Sequence, residues 1–165
     1  MPFCLAAVVA ASLTIGCEAP PTPNSNSNEA PVPMAPGMMD MGAKPGPVDA
    51  DAPEEFTTTA SGLKYRIRRK SDGKKPKASD SVVAHYRGWL DDGKEFDSSY
   101  KRNEPTPFPL NGVIGGWTEG LQFIGEGGMI ELEIPSDLGY GDRGFPPDIP
   151  PGATLHFIVE LVKVQ

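Results

Sequence analysis

Residues 96 to 157 carry scattered aromatic and branched side chains with one acid among them: Phe96-Asp97, Phe108, Val113-Ile114, Trp117, Tyr140, Phe145, Ile149 and Phe157. No string of residues resembles an activated nucleophile, a metal cage or a phosphate cradle. The set suits an apolar cup with a carboxylate at its rim. Such a cup works by binding and dehydrating its guest rather than by covalent chemistry. An acid beside a phenylalanine is most often a turn residue or an exposed carboxylate, and the residues alone leave that reading open beside the rim, towards which the alternation Glu95-Phe96-Asp97 points. Tyr140, between Gly139 and Gly141, fits an exposed loop whose hydroxyl faces a ligand. His85 and His156 fall on the polar phases of two strands and are expected at the surface. Two separated histidines are too few ligands for a metal, so no metal or cofactor is expected.

The elements that position these residues are mostly strands. Leu63, Tyr65 and Ile67 alternate with Lys64, Arg66 and Arg68, and Val82, Ala84, Tyr86 and Leu90 alternate with Val83, His85, Arg87 and Trp89. Ile130, Leu132 and Ile134 alternate with Glu131 and Glu133. Leu155, Phe157, Val159 and Leu161 alternate with His156, Ile158 and Glu160. Period-two alternation signals strands with one buried face, and Asp91-Asp92-Gly93-Lys94 is a turn signal. Helical spacing occurs at Trp117, Leu121 and Ile124, with Gly115-Gly116 before it and Gly125 expected as a left-handed stop. A helix this short must lie on the concave face of the sheet, which puts Trp117 at the bottom of any cavity there. Gly141 to Gly152 reads as a loop stiffened by Pro146-Pro147 and Pro150-Pro151. The expected fold class is α+β, a curved antiparallel β-sheet wrapped around one short α-helix.

Charge is unevenly distributed. The chain carries 22 acids and 15 bases, a net charge of −7. Residues 18–55 hold seven acids, one base, nine prolines and no aromatic residue. They read as a disordered acidic tether. Residues 56–165 hold the rest and are nearly neutral. Neither part has the clustered positive charge that nucleic acid requires, so no nucleic-acid partner is expected. Residues 1–17 are uncharged, and their apolar run, 5 to 16, falls short of the roughly 20 residues that span a bilayer. The run suits a secretory signal, and Thr14-Ile15-Gly16-Cys17 resembles a bacterial lipobox, with Thr14 where leucine is usual and no Lys or Arg before the run. This implies a lipid anchor on Cys17 and a place in the cell envelope, on the extracytoplasmic, periplasmic side. With Cys4 leaving with the signal, the mature domain has no thiol to pair. Met34, Met38, Met39 and Met41 have sulfur suited to Cu(I), but with no His or Cys beside them they read as linker.

The order and spacing of several segments resemble the FKBP family of peptidyl-prolyl cis–trans isomerases across residues 57 to 165. They are Thr59-Ala-Ser-Gly-Leu-Lys-Tyr65, Val83-Ala-His-Tyr86-Arg-Gly-Trp-Leu90, Gly93-Lys-Glu-Phe96-Asp97-Ser-Ser99, Val113-Ile114-Gly-Gly-Trp117-Thr-Glu-Gly120, Tyr140-Gly141 and Ile149-Pro-Pro-Gly-Ala-Thr-Leu155-His-Phe157. The resemblance implies pocket walls of Tyr86, Phe96, Val113, Ile114 and Phe157, with Trp117 as floor. It implies Asp97 and Tyr140 as rim groups, the Ile114 amide as donor to a ligand carbonyl, and Phe108, Phe145 and Ile149 as edges. Arg102 matches the family's basic residue near the acid. By the same resemblance Asp97, Tyr140, Phe96 and Tyr86 are the catalytic set. Thr106, Leu138, Asp148 and a shortened segment from Phe108 to Val113 depart from the usual pattern. They bear on substrate preference and macrolide affinity. The implied activity is isomerisation of X-Pro bonds during folding of extracytoplasmic proteins. The implied partners are unfolded or partly folded proline-containing chains and macrolide inhibitors, and the domain is expected to be a monomer. The alternative is a binding module or chaperone that grips proline segments in the same cup without turnover.

Overall fold

The computed structural model describes residues 44–165. The signal run, Cys17, the four methionines of the tether and the tether up to residue 43 lie outside the described residues. Seven strands form one antiparallel sheet: β1 (Thr57–Thr58), β2 (Lys64–Arg69), β3 (Ser81–Leu90), β4 (Glu95–Ser98), β5 (Thr106–Pro109), β6 (Met129–Ile134) and β7 (Leu155–Val164). The spatial order is β1-β2-β6-β7-β3-β4, with β5 also on β3. β3 and β7 pair along nearly their whole length, from Val82 opposite Val164 to Leu90 opposite Leu155. The apolar phases expected for β3, β6 and β7 are the buried ones.

Among the described residues two short α-helices accompany the sheet. α1 is one turn, Ser99–Arg102, closed by Asn103 at φ 51°. It has too few residues to show a helical period in the sequence. α2 spans Gly115–Gly120 and tightens into a 3-10 turn over Leu121–Phe123. The two glycines expected ahead of α2 are its first residues. Gly116 and Gly120, one turn apart, face the sheet. A Cβ on Gly116 would stand 2.6 Å from Ile134, and one on Gly120 would stand 2.7 Å from Leu132. Glycine there lets α2 lie directly on β6, with Trp117 beneath the cavity. Gly125 is not the left-handed stop that was expected. Ile124 is already extended, and at Gly125 a Cβ would stand 2.2 Å from the Gly73 carbonyl oxygen, which only glycine avoids.

Three further expectations are corrected. His85 is 3% exposed, because Ser99 bonds its ring and Tyr100 stacks on it at 5.1 Å. His156 is half-buried, stacked on Trp89 at 5.8 Å and 2.7 Å from Asp91. Residues 46–54, assigned above to the tether, are tied to the domain. The Gly46 amide donates to Glu160 at 2.7 Å, the Asp49 amide to the Arg68 carbonyl at 2.9 Å, and Arg66 to the Glu54 carbonyl. Their composition is that of a linker, but several of their polar groups meet partners on β2 and β7. Among the described residues no helix is long and apolar enough to cross a membrane.

The contact of α2 with β6 gives a direct test. Gly120→Ala is expected to destabilise the domain by about 1–3 kcal/mol, the usual cost of overpacking a filled core, as read by urea denaturation. An unchanged midpoint would show that the helix can move off the sheet freely.

Candidate active site

β3 delivers Tyr86 and Gly88 to the concave face, because they fall on the same phase as Val82, Ala84 and Leu90. β4 runs back beside β3 through the turn at Gly93, whose φ of 80° suits glycine. That return brings Phe96 and Asp97 to the same end of the sheet as Tyr86. β7 adds Phe157, β5 adds Phe108, and α2 adds Trp117. The loop after β6 adds Tyr140, then Phe145 and Ile149, which exchange two backbone hydrogen bonds of 2.8 and 3.0 Å. A non-glycine side chain at Gly144 (φ 62°) would collide with the Ile149 carbonyl. That glycine therefore permits the fold-back.

These side chains enclose a cavity of about 750 Å³. Its wall contains Tyr86, Phe96, Asp97, Phe108, Val113, Ile114, Trp117, Tyr140, Phe145, Ile149 and Phe157, together with Gly112, Gly115, Gly139 and Asp148. Trp117 is the floor, 4% exposed. Tyr86, Phe108 and Phe157 each stand edge-on to it, with centroids 5.1 to 5.3 Å away. Phe96 meets Phe157 in the same manner at 5.4 Å. Aromatic pairs favour such edge-to-face contacts. Among the described residues, the Trp117 indole nitrogen and the Ile114 amide have no hydrogen-bond partner. Ile114 is extended and leads into α2, and its carbonyl accepts the Trp117 amide at 3.0 Å.

The rim is a closed polar triangle. The Tyr86 hydroxyl donates to Asp97 Oδ2. Arg102 donates from Nη1 to Asp97 Oδ1 at 2.6 Å and from Nη2 to the Tyr86 hydroxyl at 2.8 Å. The Ser98 amide adds a bond of 2.7 Å to Asp97. Burial pushes the Asp97 carboxyl up. The bonds from Tyr86, Arg102 and Ser98, with the guanidinium charge, outweigh it and hold the group below its ordinary 3.8. Burial and the bond to Asp97 push the Tyr86 hydroxyl up to about 12. Burial, then the Asp97 charge, also raises Tyr140. At neutral pH the rim therefore holds a carboxylate and two protonated phenols, with the carboxylate turned to its own partners.

Comparison with known proteins gives the family of the chain. Residues 72–162 match the family model of the FKBP-type peptidyl-prolyl cis-trans isomerases. The chain belongs to that family. It is 54% identical over 108 residues to the FKBP-type isomerase FkpA of Escherichia coli K12, a stretch covering 66% of this chain and 40% of that one. It is 47% identical over 111 residues to the FKBP-type 22 kDa isomerase of the same organism, covering 67% and 54%. The crystal structure of FkpA from Escherichia coli superposes with a TM-score of 0.66 at 51% identity, covering 68% of this chain and 53% of that chain. An isomerase from Pseudomonas syringae pv. tomato gives 0.64 at 37% identity, covering 68% and 83%. The chain thus spans less than two thirds of the length of these curated relatives.

Within this FKBP domain Arg102 alone among the expected site residues is absent from the cavity wall; it reaches the site through Asp97 and Tyr86. Asp148, noted above as a departure, lines the cavity. Gly88 was missed. A Cβ there would stand 2.6 Å from Phe96 and 2.7 Å from Phe157. The missing side chain in the run Val82, Ala84, Tyr86, Leu90 was the available signal.

Two outcomes follow. Gly88→Ala is expected to push the two rings into the cavity and lower kcat/KM for a proline peptide by about tenfold, a loss of ~1.4 kcal/mol, measured beside a melting curve. Because Asp97 is depressed, its bonds are intact above its unfolded pKa and lost as pH falls through its folded pKa. The activity is therefore expected to be level from about pH 5 to 9 and to fall only in stronger acid. A transition in kcat/KM near neutrality would contradict this assignment.

Proposed function

We propose that this chain is a peptidyl-prolyl cis–trans isomerase that works by holding an X-Pro imide in a dry aromatic hollow. What carries the reading is the ring-lined cavity with Asp97 pinned at its rim, in a chain of this family. Rotation about the imide faces about 18–20 kcal/mol because the planar form is stabilised by resonance. At the twisted transition state the carbonyl oxygen carries less charge and the ring nitrogen regains its lone pair. Water stabilises the planar, charge-separated form more than the twisted one. Removing that water favours the twist, a form of differential binding. The flat faces of the pyrrolidine suit Trp117 and Phe157. The Ile114 amide is the donor for a carbonyl of the bound chain. Asp97, Tyr86 and Arg102 keep the wall upright, and the Tyr140 hydroxyl faces the ligand from the loop. No proton needs to reach or leave a reacting atom. The substrates are proline-containing unfolded or partly folded polypeptides. Macrolides are candidate occupants of the same cavity.

The setting belongs to the same proposal. Residues 1–17 are a lipoprotein signal, Cys17 carries the lipid, and the proline-rich acidic stretch that follows suspends the domain on the extracytoplasmic, periplasmic side of a membrane. The lipobox-like Thr14-Ile15-Gly16-Cys17 and the uncharged apolar run before it support this.

The test measures exchange of a proline peptide by the full chain. The wild type is expected to accelerate it, and Phe96→Ala and Asp97→Leu to lower kcat/KM by about ten- to a hundredfold, ~1.4–2.7 kcal/mol. An inactive wild type ends the isomerase reading. Suppression of aggregation by inactive variants would support a binding module instead. Mass spectrometry of the mature protein is expected to find lipid-modified Cys17 as the first residue; an unmodified Cys17 would remove the anchor.

A further inference from the structure

Outside the cavity, among the described residues, one carboxylate is buried without a role in the chemistry above. Glu160 on β7 is 1% exposed and stands opposite His85 of β3. Its Oε1 accepts the Tyr100 hydroxyl at 2.5 Å and the Gly46 amide at 2.7 Å. Its Oε2 accepts Arg69 Nη2 at 2.7 Å. Tyr100 is itself 2% exposed. It lies in α1, two residues before Arg102.

A single helical turn has almost no stability of its own. The placement of α1 must come from its side chains, and two of them point inward. Ser99 Oγ accepts the Tyr86 amide at 2.8 Å and meets His85 Nδ1 at 3.0 Å, which fastens the start of α1 to β3. Tyr100 crosses behind His85 to Glu160 and fastens the middle of the turn to β7. Arg102 is left on the outside, its side chain 47% exposed. An ion pair so open to water holds little by itself, yet Arg102 makes two directed bonds, to Asp97 and to the Tyr86 hydroxyl. Those bonds need a backbone already in place. A buried, fully bonded carboxylate contributes little net stability over an apolar replacement; what it contributes here is direction.

We propose that Tyr100, held by Glu160, is a positioning residue for the isomerase: it sets the orientation of α1 so that Arg102 reaches Asp97 and Tyr86 at the cavity rim. This rests on the isomerase reading above. Tyr100 touches no part of the cavity and acts through Arg102.

The test is a double-mutant cycle in the full chain with a titration beside it. Tyr100→Phe keeps the ring and its stack on His85 and removes the hydroxyl. It is expected to lower kcat/KM about fivefold, and Arg102→Ala about tenfold. The double variant is expected to stay within about twofold of Arg102→Ala, because the two act in one chain of contacts. The Asp97 carboxyl, followed by its carbon chemical shift, is expected to titrate closer to 3.8 in Tyr100→Phe than in the wild type. Glu160→Leu is expected to move it likewise, while Glu160→Gln, which keeps an acceptor for Tyr100, leaves it near the wild-type position. Multiplied losses of about fiftyfold in the double variant, or an Asp97 titration that neither Tyr100→Phe nor Glu160→Leu moves, would overturn the proposal. An inactive wild type would remove the isomerase reading alone, since the titration needs no turnover.

Discussion

Everything at this site depends on an apolar hollow that stays open. Side chains lining an empty space lose contacts and tend to close over it. Here the rings prop one another. Trp117 stands edge-on to Tyr86, Phe108 and Phe157, and Phe157 to Phe96, so none of these five rings can swing inward without breaking an edge-to-face pair. Gly88 leaves the gap between Phe96 and Phe157 that this arrangement needs. Gly116 and Gly120 set Trp117 low enough to be the floor. The cavity is thus a consequence of where side chains are absent as much as of where rings are present.

The second requirement is a polar rim that does not flood the hollow. A free carboxylate beside aromatic walls would draw water in. Asp97 instead has its oxygens engaged by Tyr86, Arg102 and Ser98. The charge is neutralised from the rim, and the Tyr86 ring is fixed by its own hydroxyl. The same logic recurs on the far side of β3, where Glu160 is satisfied by Tyr100, Gly46 and Arg69. α1 joins the two networks, with Tyr100 in one and Arg102 in the other.

Much of this was legible in the sequence because it follows from period two. β3, β6 and β7 each place their branched and aromatic residues on one phase, and the ring positions fall on those strands or on α2. Resemblance to a family then grouped residues that are far apart in the chain, as Tyr86 and Phe157 are. What stayed hidden has physical reasons. His85 and Glu160 sit on the polar phase of their strands, where burial comes from α1 and residue 46 rather than from the sheet. The bond of Arg102 to Asp97 was not hidden, since the resemblance put that base near the acid, although the turn between them is too short to show periodicity. Residues 46–54 have a linker's composition and are held by individual hydrogen bonds, which no composition reveals. Gly125 matters through a close approach to Gly73 that exists only in three dimensions.

The account turns on dehydration rather than proton transfer as the source of the rate. The measurement that meets this most directly is the solvent deuterium isotope effect on kcat/KM, with exchange of a proline peptide followed by NMR. If the hollow acts by excluding water from the imide, the rate in heavy water equals that in light water. A clear slowing in heavy water would mean that a proton moves in the transition state, and would contradict the account.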